Sequence, residues 1–267
     1  MSSITITKRS GMSQKYQVPK QNKYLDQLCS IFPRLSHCNT REVAKQVTLG
    51  ANMSTVELAE HVAEVCASLT VRHWQYGALG GRVVVSMIHR QTPKSFVESV
   101  LQLRETLADQ FVNTCLRHKQ TLNDMIVHER DFQYDIMGIR TLQRSYLLKV
   151  QNVIVERPQY MLMRVAVALH GDNIDMVRKT YEATSKLLYT HATPTLFHAG
   201  LAKQQLASCF LMTMADDSIE GIFETLKRCA LISKGAGGIG LSISNIRGSG
   251  SPILGTNGVS NGLTPML

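Results

Sequence analysis

Between residues 205 and 243 the chain changes its grammar, and that change restricts the fold more than any other feature. QLASCFLMTM (205–214) is an apolar run that reads as a buried strand. Asp217 and Glu220 then open a helix carrying Ile219, Ile222, Phe223, Leu226 and Ala230 on one face. GIGLSISNI follows, with Ile239, Leu241 and Ile243 alternating against small residues, which is a second strand. Strand, helix, strand in this order implies a parallel pair joined by a crossover helix. A parallel sheet needs both faces covered, so two strands are an opening and not a finished sheet. Asn261 to Leu267 read as a turn and a helix start, with Pro265 suited to a first turn. Ending on the apolar Met266-Leu267 would leave an edge with nothing to pack against, so the terminus reads as a truncation.

Upstream the pattern is mostly helical. Residues 1–20 are polar and basic, and the alternation in ITITK before Ser10-Gly11 fits a small hairpin or cap. Helical periodicity begins near residue 24 and runs to about 118. Ser54 and Glu57 have capping-box spacing, and behind them Leu58, Val62, Val65 and Leu69 form an amphipathic face. A helix over 76–90 places Tyr76, Leu79, Val83 and Ile88 on one side, while Gly77, Gly80 and Gly81 each weaken it by up to ~1 kcal/mol. From 158 onward helices continue (YMLMRVAVALHG, then DMVRKTYEATSKLLYTH), with stops near Gly171 and His191.

Composition narrows the function classes. With 44% hydrophobic and 18% charged residues the chain is of ordinary soluble type. No run approaches the ~18 apolar residues of a membrane span. MSSITITKRSG lacks the apolar stretch of a secretory signal, so a cytoplasmic protein is expected. The 29 Lys+Arg against 20 Asp+Glu give +9, a balance that attracts phosphates or merely solvates a surface. The cations are scattered without aromatic interleaving, which argues against a nucleic-acid stripe. Six cysteines (29, 38, 66, 115, 209, 229) lack any C-x-x-C pair, so neither a zinc site nor a secreted disulfide framework is expected. Most should be buried thiols.

Three constellations could carry chemistry. Gly235, Gly237 and Gly240 satisfy G-x-G-x-x-G, but a dinucleotide site needs a strand before the glycines and a helix after them, and here the order is reversed. Close backbone approach is the expected use of these glycines. Asp217-Ser218 at a helix start, Lys234 near its end and Arg247 after the next strand, followed by GSGSPILGTNG, form either an anion site or an ordinary N-cap, helix-dipole lysine and exposed arginine. Cys209, preceded by Ser208, is either an inert buried thiol or a redox group that needs a second thiol within ~7 Å.

Longer strings decide among these. ERDFQYDIMGIRTLQRSYLLK, VERPQYMLMRVAVALHG, THATPTLFHAG, LASCFLM, DDSIEGIFETLKRCALISK, GAGGIGLSISNIRGSGS and GTNGVSNGLTPML resemble the large subunit of class I ribonucleotide reductase, of eukaryotic or large-DNA-virus type. The match is strong over 120–267; towards the start, TKRSG and MSTVELAEHVAEVCASLT look like the family's ATP-cone. The resemblance implies an α+β chain: an ATP-cone-like module (1–97), a helical domain (98–204) and the first β-α-β of a ten-stranded α/β barrel (205–267). It implies that Cys209 is the first redox cysteine, with Thr193, Ser208 and Gly238 lining the substrate pocket. Thr193 stands where the family usually has Ser, and the hydroxyl survives. Asp217, Ser218, Ile219, Lys234, Arg247, Leu254 and Gly255 match the deoxynucleotide specificity site, which in the family lies at a homodimer interface.

The ATP-cone match departs further. Lys8, Arg9, Lys20 and Thr55 keep the family's types, whereas Gln14 replaces an acid, Arg90 replaces Lys and Ala59 stands where Asp is common. Loss of the acid predicts weak discrimination between ATP and dATP. No cofactor is expected on the chain itself beyond ATP and dNTP effectors. The implied partners are a small subunit with a di-iron tyrosyl radical, the remainder of the large subunit, and thioredoxin or glutaredoxin. The radical-bearing cysteine and the partner of Cys209 belong to that remainder, so the chain by itself is expected not to turn over. The rival reading is a non-catalytic nucleotide-binding protein that docks on an intact large subunit. No membrane or nucleic-acid partner is expected.

Overall fold

A computed structural model describes residues 5–8, 10–47, 50 and 53–265, divided into two compact units between Tyr189 and Thr190. Arg9 and the Met266-Leu267 end lie outside the described residues.

The first unit opens on the expected hairpin. Strands β1 (Thr5–Thr7) and β2 (Ser13–Lys15) pair antiparallel with Ile6 opposite Gln14, and Gly11 takes a φ of 79° in the turn. Helix α1 (Val18–Ser30) starts before residue 24, because Pro19 in its first turn presets the helical φ. After α2 (Thr40–Gln46) comes a third strand, β3 (Met53–Ser54), parallel to β1; two residues give no periodicity to read. Its Ser54 caps α3 (Thr55–Leu69) in a reciprocal box, accepting from the Glu57 amide at 3.1 Å while Glu57 accepts from the Ser54 amide at 2.7 Å. The buried stripe of α3 is Val62, Ala63, Cys66 and Leu69, so Leu58 and Val65 lie at its edges.

Helix α4 (Gln75–Gln91) is buried around most of its circumference, with 12 of 17 residues inside, where a single covered face was expected. The glycines explain this. A Cβ on Gly80 would lie 3.1 Å from the Cys66 Cβ, and one on Gly81 would meet the Tyr134 carbonyl oxygen at 2.3 Å. Their missing side chains let neighbouring backbone pack against the helix, which offsets their low helix propensity. On the same helix the fully buried Arg82 donates to the carbonyls of Leu28, Ile31 and Pro33 and so ties down the end of α1. The fold also brings the Cys29 and Cys38 thiols close enough to perturb one another, so the cysteines are not all remote from one another.

Helices α5 (Phe96–Gln102), α6 (Asp109–Arg117) and α7 (Lys119–Met125) continue the unit, and α5 runs through the expected 97/98 boundary. A 3-10 segment (His128–Gln133), α8 (Ile136–Thr141) and a π turn (Leu142–Tyr146) lead to the hairpin of β4 (Lys149–Val150) and β5 (Val153–Ile154). Helix α9 (Pro158–His170) ends at Gly171 with φ 55°, as expected, and α10 (Ile174–Ser185) follows. The latter stops well before His191, because Leu187 adopts a φ of 58° that breaks the helix. Around α9 lies a polar core. Asp131, with no exposed surface, accepts from His89 Nε2 at 2.6 Å and the Gln159 amide at 2.9 Å, and Glu156 pairs with Arg164.

The second unit holds α11 (Thr193–His198), β6 (Cys209–Thr213), α12 (Ile219–Lys234) and β7 (Gly238–Ser242). Strands β6 and β7 are parallel, with Cys209 opposite Gly238 and Thr213 opposite Ser242, and α12 is the crossover. The Gly235–Gly240 run follows the helix and enters the strand, so it is no phosphate loop; a Cβ on Gly237 would lie 2.7 Å from both Ile232 and Phe210.

Two expectations fail here. Strand β6 is half open: Phe210 and Met212 are partly covered, whereas Leu211 is 95% exposed. With only two strands in the sheet and the crossover helix on one face, the alternate side chains of β6 have no cover. The sheet-facing side of α12 is Gly221, Ile222, Thr225, Cys229 and Ile232, while Ile219, Phe223, Leu226 and Ala230 are exposed. Thr225 fixes that rotation, since its hydroxyl accepts from the Ala215 amide at 3.0 Å, and Gly221 lets the Asp216 backbone approach within what a Cβ would occupy. No helix among the described residues is long and apolar enough to cross a membrane.

Candidate functional site

The second unit brings three of the expected substrate-pocket residues together. Cys209 opens β6 and is exposed, beside Ser208, whose hydroxyl lies 3.6 Å from the sulfur. Gly238 faces Cys209 across the ladder and its amide donates to the Ser208 carbonyl at 2.8 Å. Register and sequence therefore place a hydroxyl, a thiol and a bare backbone at one end of the parallel pair. Thr193 sits on the first turn of α11, two residues before Thr195, whose hydroxyl donates to the Leu206 carbonyl at 3.1 Å. His198 contacts the Gln205 carbonyl at 3.1 Å, so α11 is tied to the segment that leads into β6. The thiol is open, unlike Cys66 and Cys115, which burial pushes up to about 12.

A second group assembles at the start of α12. Asp217, Ser218, Ile219, Arg247 and Leu254 line one cavity of about 480 Å³, together with Ser260 and Pro265. Ser218 is the N-cap and accepts from the Gly221 amide at 3.0 Å. Arg247 is not the freely exposed arginine of the ordinary reading. Its Nε donates to the Asp217 carboxylate at 2.6 Å, Nη2 to the Asp217 carbonyl at 2.9 Å and Nη1 to the Pro252 carbonyl at 3.2 Å. Of its five N–H donors this leaves two, one on each terminal nitrogen, for an anion. The glycine-rich segment is ordered by antiparallel bonds, including Gly250 to Ser260 at 2.8 Å and Ile253 to Gly258 at 3.0 Å. Gly255 turns beside Leu254 with φ 85°. Lys234 is not part of this group. It ends the 16-residue α12, and a rise of 1.5 Å per residue puts it roughly 22 Å from Ile219.

In the first unit, Lys8, Gln14, Lys20 and Thr55 come from the hairpin, α1 and α3 to line a single cavity of about 230 Å³. Ala59 and Arg90 line it as well. Sequence reasoning missed Lys15, Gln21 and Tyr24, which face the same space. The Arg90 guanidinium lies 5.1 Å from the centre of the Tyr24 ring. Four cations and no carboxylate line the cavity, with Ile6 and Val62 as buried apolar floor. Such a space takes a polyanion with an attached apolar or aromatic body.

Two family profiles match: "Ribonucleotide reductase, all-alpha domain" over residues 132–204 and "Ribonucleotide reductase, barrel domain" over residues 207–267. The chain is 46% identical over 275 residues to the ribonucleoside-diphosphate reductase large subunit of Arabidopsis thaliana, covering 98% of this chain and 34% of that one. It is 43% identical to the large chain of Schizosaccharomyces pombe, with the same coverage. It is 46% identical to the large subunit of Vaccinia virus, covering 36% of that protein. The chain thus spans about a third of the length of the curated relatives it matches.

Proposed function

Because the chain belongs to the ribonucleotide reductase large-subunit family, matching its N-terminal third, we propose that it is the effector-binding and barrel-opening part of a ribonucleoside-diphosphate reductase. Together with the remaining strands of a ten-stranded α/β barrel, on the same polypeptide or another, it reduces ribonucleoside diphosphates to deoxyribonucleotides in the cytoplasm. The observation that carries this reading is the exposed Cys209 thiol beside Ser208 and Gly238 where β6 and β7 begin. The three modules 1–97, 98–204 and 205–267 are the ATP-cone, the helical domain and the barrel opening.

The chemistry asked of Cys209 balances as a two-electron step. The ribose C2′–O bond breaks and the oxygen leaves as water. Cys209 and a second thiol on the rest of the barrel supply two electrons and two hydrogens and close to a disulfide. Exchange with thioredoxin or glutaredoxin then restores both thiols. The di-iron tyrosyl radical of a small subunit supplies the oxidising equivalent that starts each turnover. Thr193 and Ser208 hold the diphosphate and sugar by hydroxyl donors, and Gly238 leaves room for the sugar.

Asp217, Ser218, Ile219, Arg247, Leu254 and Gly255 form the specificity-effector site in this reading. Lys234 supports homodimerisation: too far along α12 to serve its own cavity, it reaches the Asp217 end of a second copy if the two helices run antiparallel. The uncovered stripe Ile219, Phe223, Leu226 gives such a pair an apolar seam.

The test is reconstitution. Residues 1–267 combined with a polypeptide carrying the rest of the barrel and with the small subunit are expected to convert CDP to dCDP in the presence of thioredoxin. Nucleotide binding without any turnover would instead assign the chain a regulatory docking role on an intact large subunit. A second expectation concerns the hairpin cavity. With Ala59 and Gln14 in place of acids, no carboxylate accepts a ribose hydroxyl, so ATP and dATP should bind within about threefold of each other. Competition dialysis on the whole chain measures this, and a tenfold preference for dATP would refute it.

A further inference from the structure

The loop after α1 doubles back along the last turn of that helix and carries one thiol past another. The Leu35 amide donates to the Cys29 carbonyl at 2.9 Å, and the Thr40 hydroxyl donates to the Asp26 carboxylate at 2.7 Å. Asp26 and Cys29 stand three residues apart on α1 and share a face. Cys38 lies between these two ties, so it passes that face. Its chain neighbours are fixed as well. The His37 amide donates to Gln75 Oε1 at 2.7 Å and the Asn39 amide to the Tyr76 hydroxyl at 3.1 Å. Both thiols are free, Cys29 buried and Cys38 half-buried. The pair is held by its backbone and needs no ordering before it reacts.

A cation is built in beside it. Arg82 is 1% exposed and donates from Nη1 to the carbonyls of Leu28 and Ile31, which bracket Cys29, at 2.7 and 2.9 Å. Its Nη2 donates to the Pro33 carbonyl at 2.6 Å, and its Nε is buried without a partner. These partners are all neutral, and a buried cation without an opposite charge is costly. A thiolate at Cys29 supplies that charge. The Cys29 thiol is held below the usual thiol range, first by the Cys38 thiol beside it and more weakly by Arg82, while burial and Asp26 oppose. The Cys38 thiol is pushed up, by Cys29 first and then by burial. One sulfur is thus suited to attack and the other to resolve.

We propose that Cys29 and Cys38 are a peroxide-oxidised dithiol, with Cys29 the attacking thiolate, Cys38 the resolving thiol and Arg82 the buried counter-ion. The Cys29 thiolate attacks one oxygen of hydrogen peroxide; the S–O bond forms, the O–O bond breaks and hydroxide leaves. Cys38 then displaces the sulfenic oxygen as the S–S bond forms, and its proton leaves with that oxygen as water. The two sulfurs lose two electrons and the peroxide gains them. A soluble dithiol reverses the bridge by exchange. This modification site is separate from Cys209 and stands whether or not the chain serves a reductase.

Trypsin makes the test direct, because Lys23, Arg34 and Arg41 put Cys29 and Cys38 in different peptides, 24–34 and 35–41. Hydrogen peroxide added to folded residues 1–267 should link these two peptides, about tenfold faster than in the urea-unfolded chain, and dithiothreitol should part them. Cys38→Ser should stop at the sulfenic acid, read as a dimedone adduct on peptide 24–34. Cys29→Ser should give neither the link nor an adduct on peptide 35–41. Arg82→Met should slow adduct formation in the Cys38→Ser background, and Arg82→Lys should restore much of the rate. Melting temperatures show which variants fold; if those at Arg82 do not, the two cysteine variants and the wild-type chain decide alone. A link no faster than in urea, a link from Cys29 to the Cys66 peptide (46–72) instead, or an adduct on Cys38 in place of Cys29 would each overturn the proposal.

Discussion

Replacing Glu156 with alanine is expected to lower the stability of the first unit by about 3–5 kcal/mol, the usual cost of stripping one partner from a buried ion pair. Arg164 donates from Nε to the Glu156 carboxylate at 2.7 Å and from Nη2 at 3.1 Å, and the two side chains are 1% and 2% exposed. The same carboxylate accepts from the Leu148 amide at 3.0 Å, so it also anchors the segment leading into the β4–β5 hairpin. Alanine leaves a guanidinium that cannot shed its proton among the buried Tyr160, Met163 and Val167 of α9. The pair is not itself a large source of stability, because desolvation of both ions offsets most of their attraction. The double variant Glu156→Leu with Arg164→Leu should therefore recover most of the loss. Denaturant midpoints for the wild type, Glu156→Leu, Arg164→Leu and the double variant give the coupling energy. A single-variant loss under about 1 kcal/mol would show that water or a neighbour already satisfies Arg164, contrary to the geometry.

That pair also shows where the sequence stops being informative. YMLMRVAVALHG is legible as a helix from its apolar run, its leading proline and its closing glycine, all of which are local signals. That Arg164 is inside and neutralised eight residues upstream is a tertiary fact with no periodicity. The same division holds elsewhere. The Ser54–Glu57 box, the first hairpin and the β6–α12–β7 order were readable because each is encoded within a few residues. The rotation of α12 was not. Its apolar stripe predicts burial, yet the sheet faces Thr225 and Gly221, because hydrophobicity cannot distinguish a face turned to the sheet from one left for another surface. The glycines of α4 looked like weaknesses until the approach of Tyr134 and Cys66 was known. The resemblance supplied Lys8, Gln14, Lys20 and Thr55 as separate positions; only the fold adds Lys15, Gln21 and Tyr24 to the same space.

In the reconstituted enzyme, Cys209→Ser is expected to reduce dCDP formation to background while leaving the melting temperature of the chain unchanged. The two readouts separate because of where the residue sits. Cys209 is exposed at the start of β6, and its backbone pairing with Gly238 does not involve the side chain. Serine fits the same space beside Ser208, and substitutions at such surface positions usually change stability by about 0.5 kcal/mol or less. What serine cannot do is surrender a hydrogen and an electron and close a disulfide, so the C2′ hydroxyl has no reductant. Cys115→Ser provides the opposite control. That thiol is buried in α6 and held protonated by its surroundings, so its loss should lower stability without touching the reducing step. Alkylation should distinguish the two thiols before any assay, with Cys209 labelled in the folded chain and Cys115 only on unfolding. Sustained turnover by the serine variant, with thioredoxin as reductant, would move the reducing thiol elsewhere in the assembled enzyme. Ser208, Cys209 and Gly238 would then be merely the edge of an open sheet, and the reconstitution itself would have to be explained by another cysteine pair.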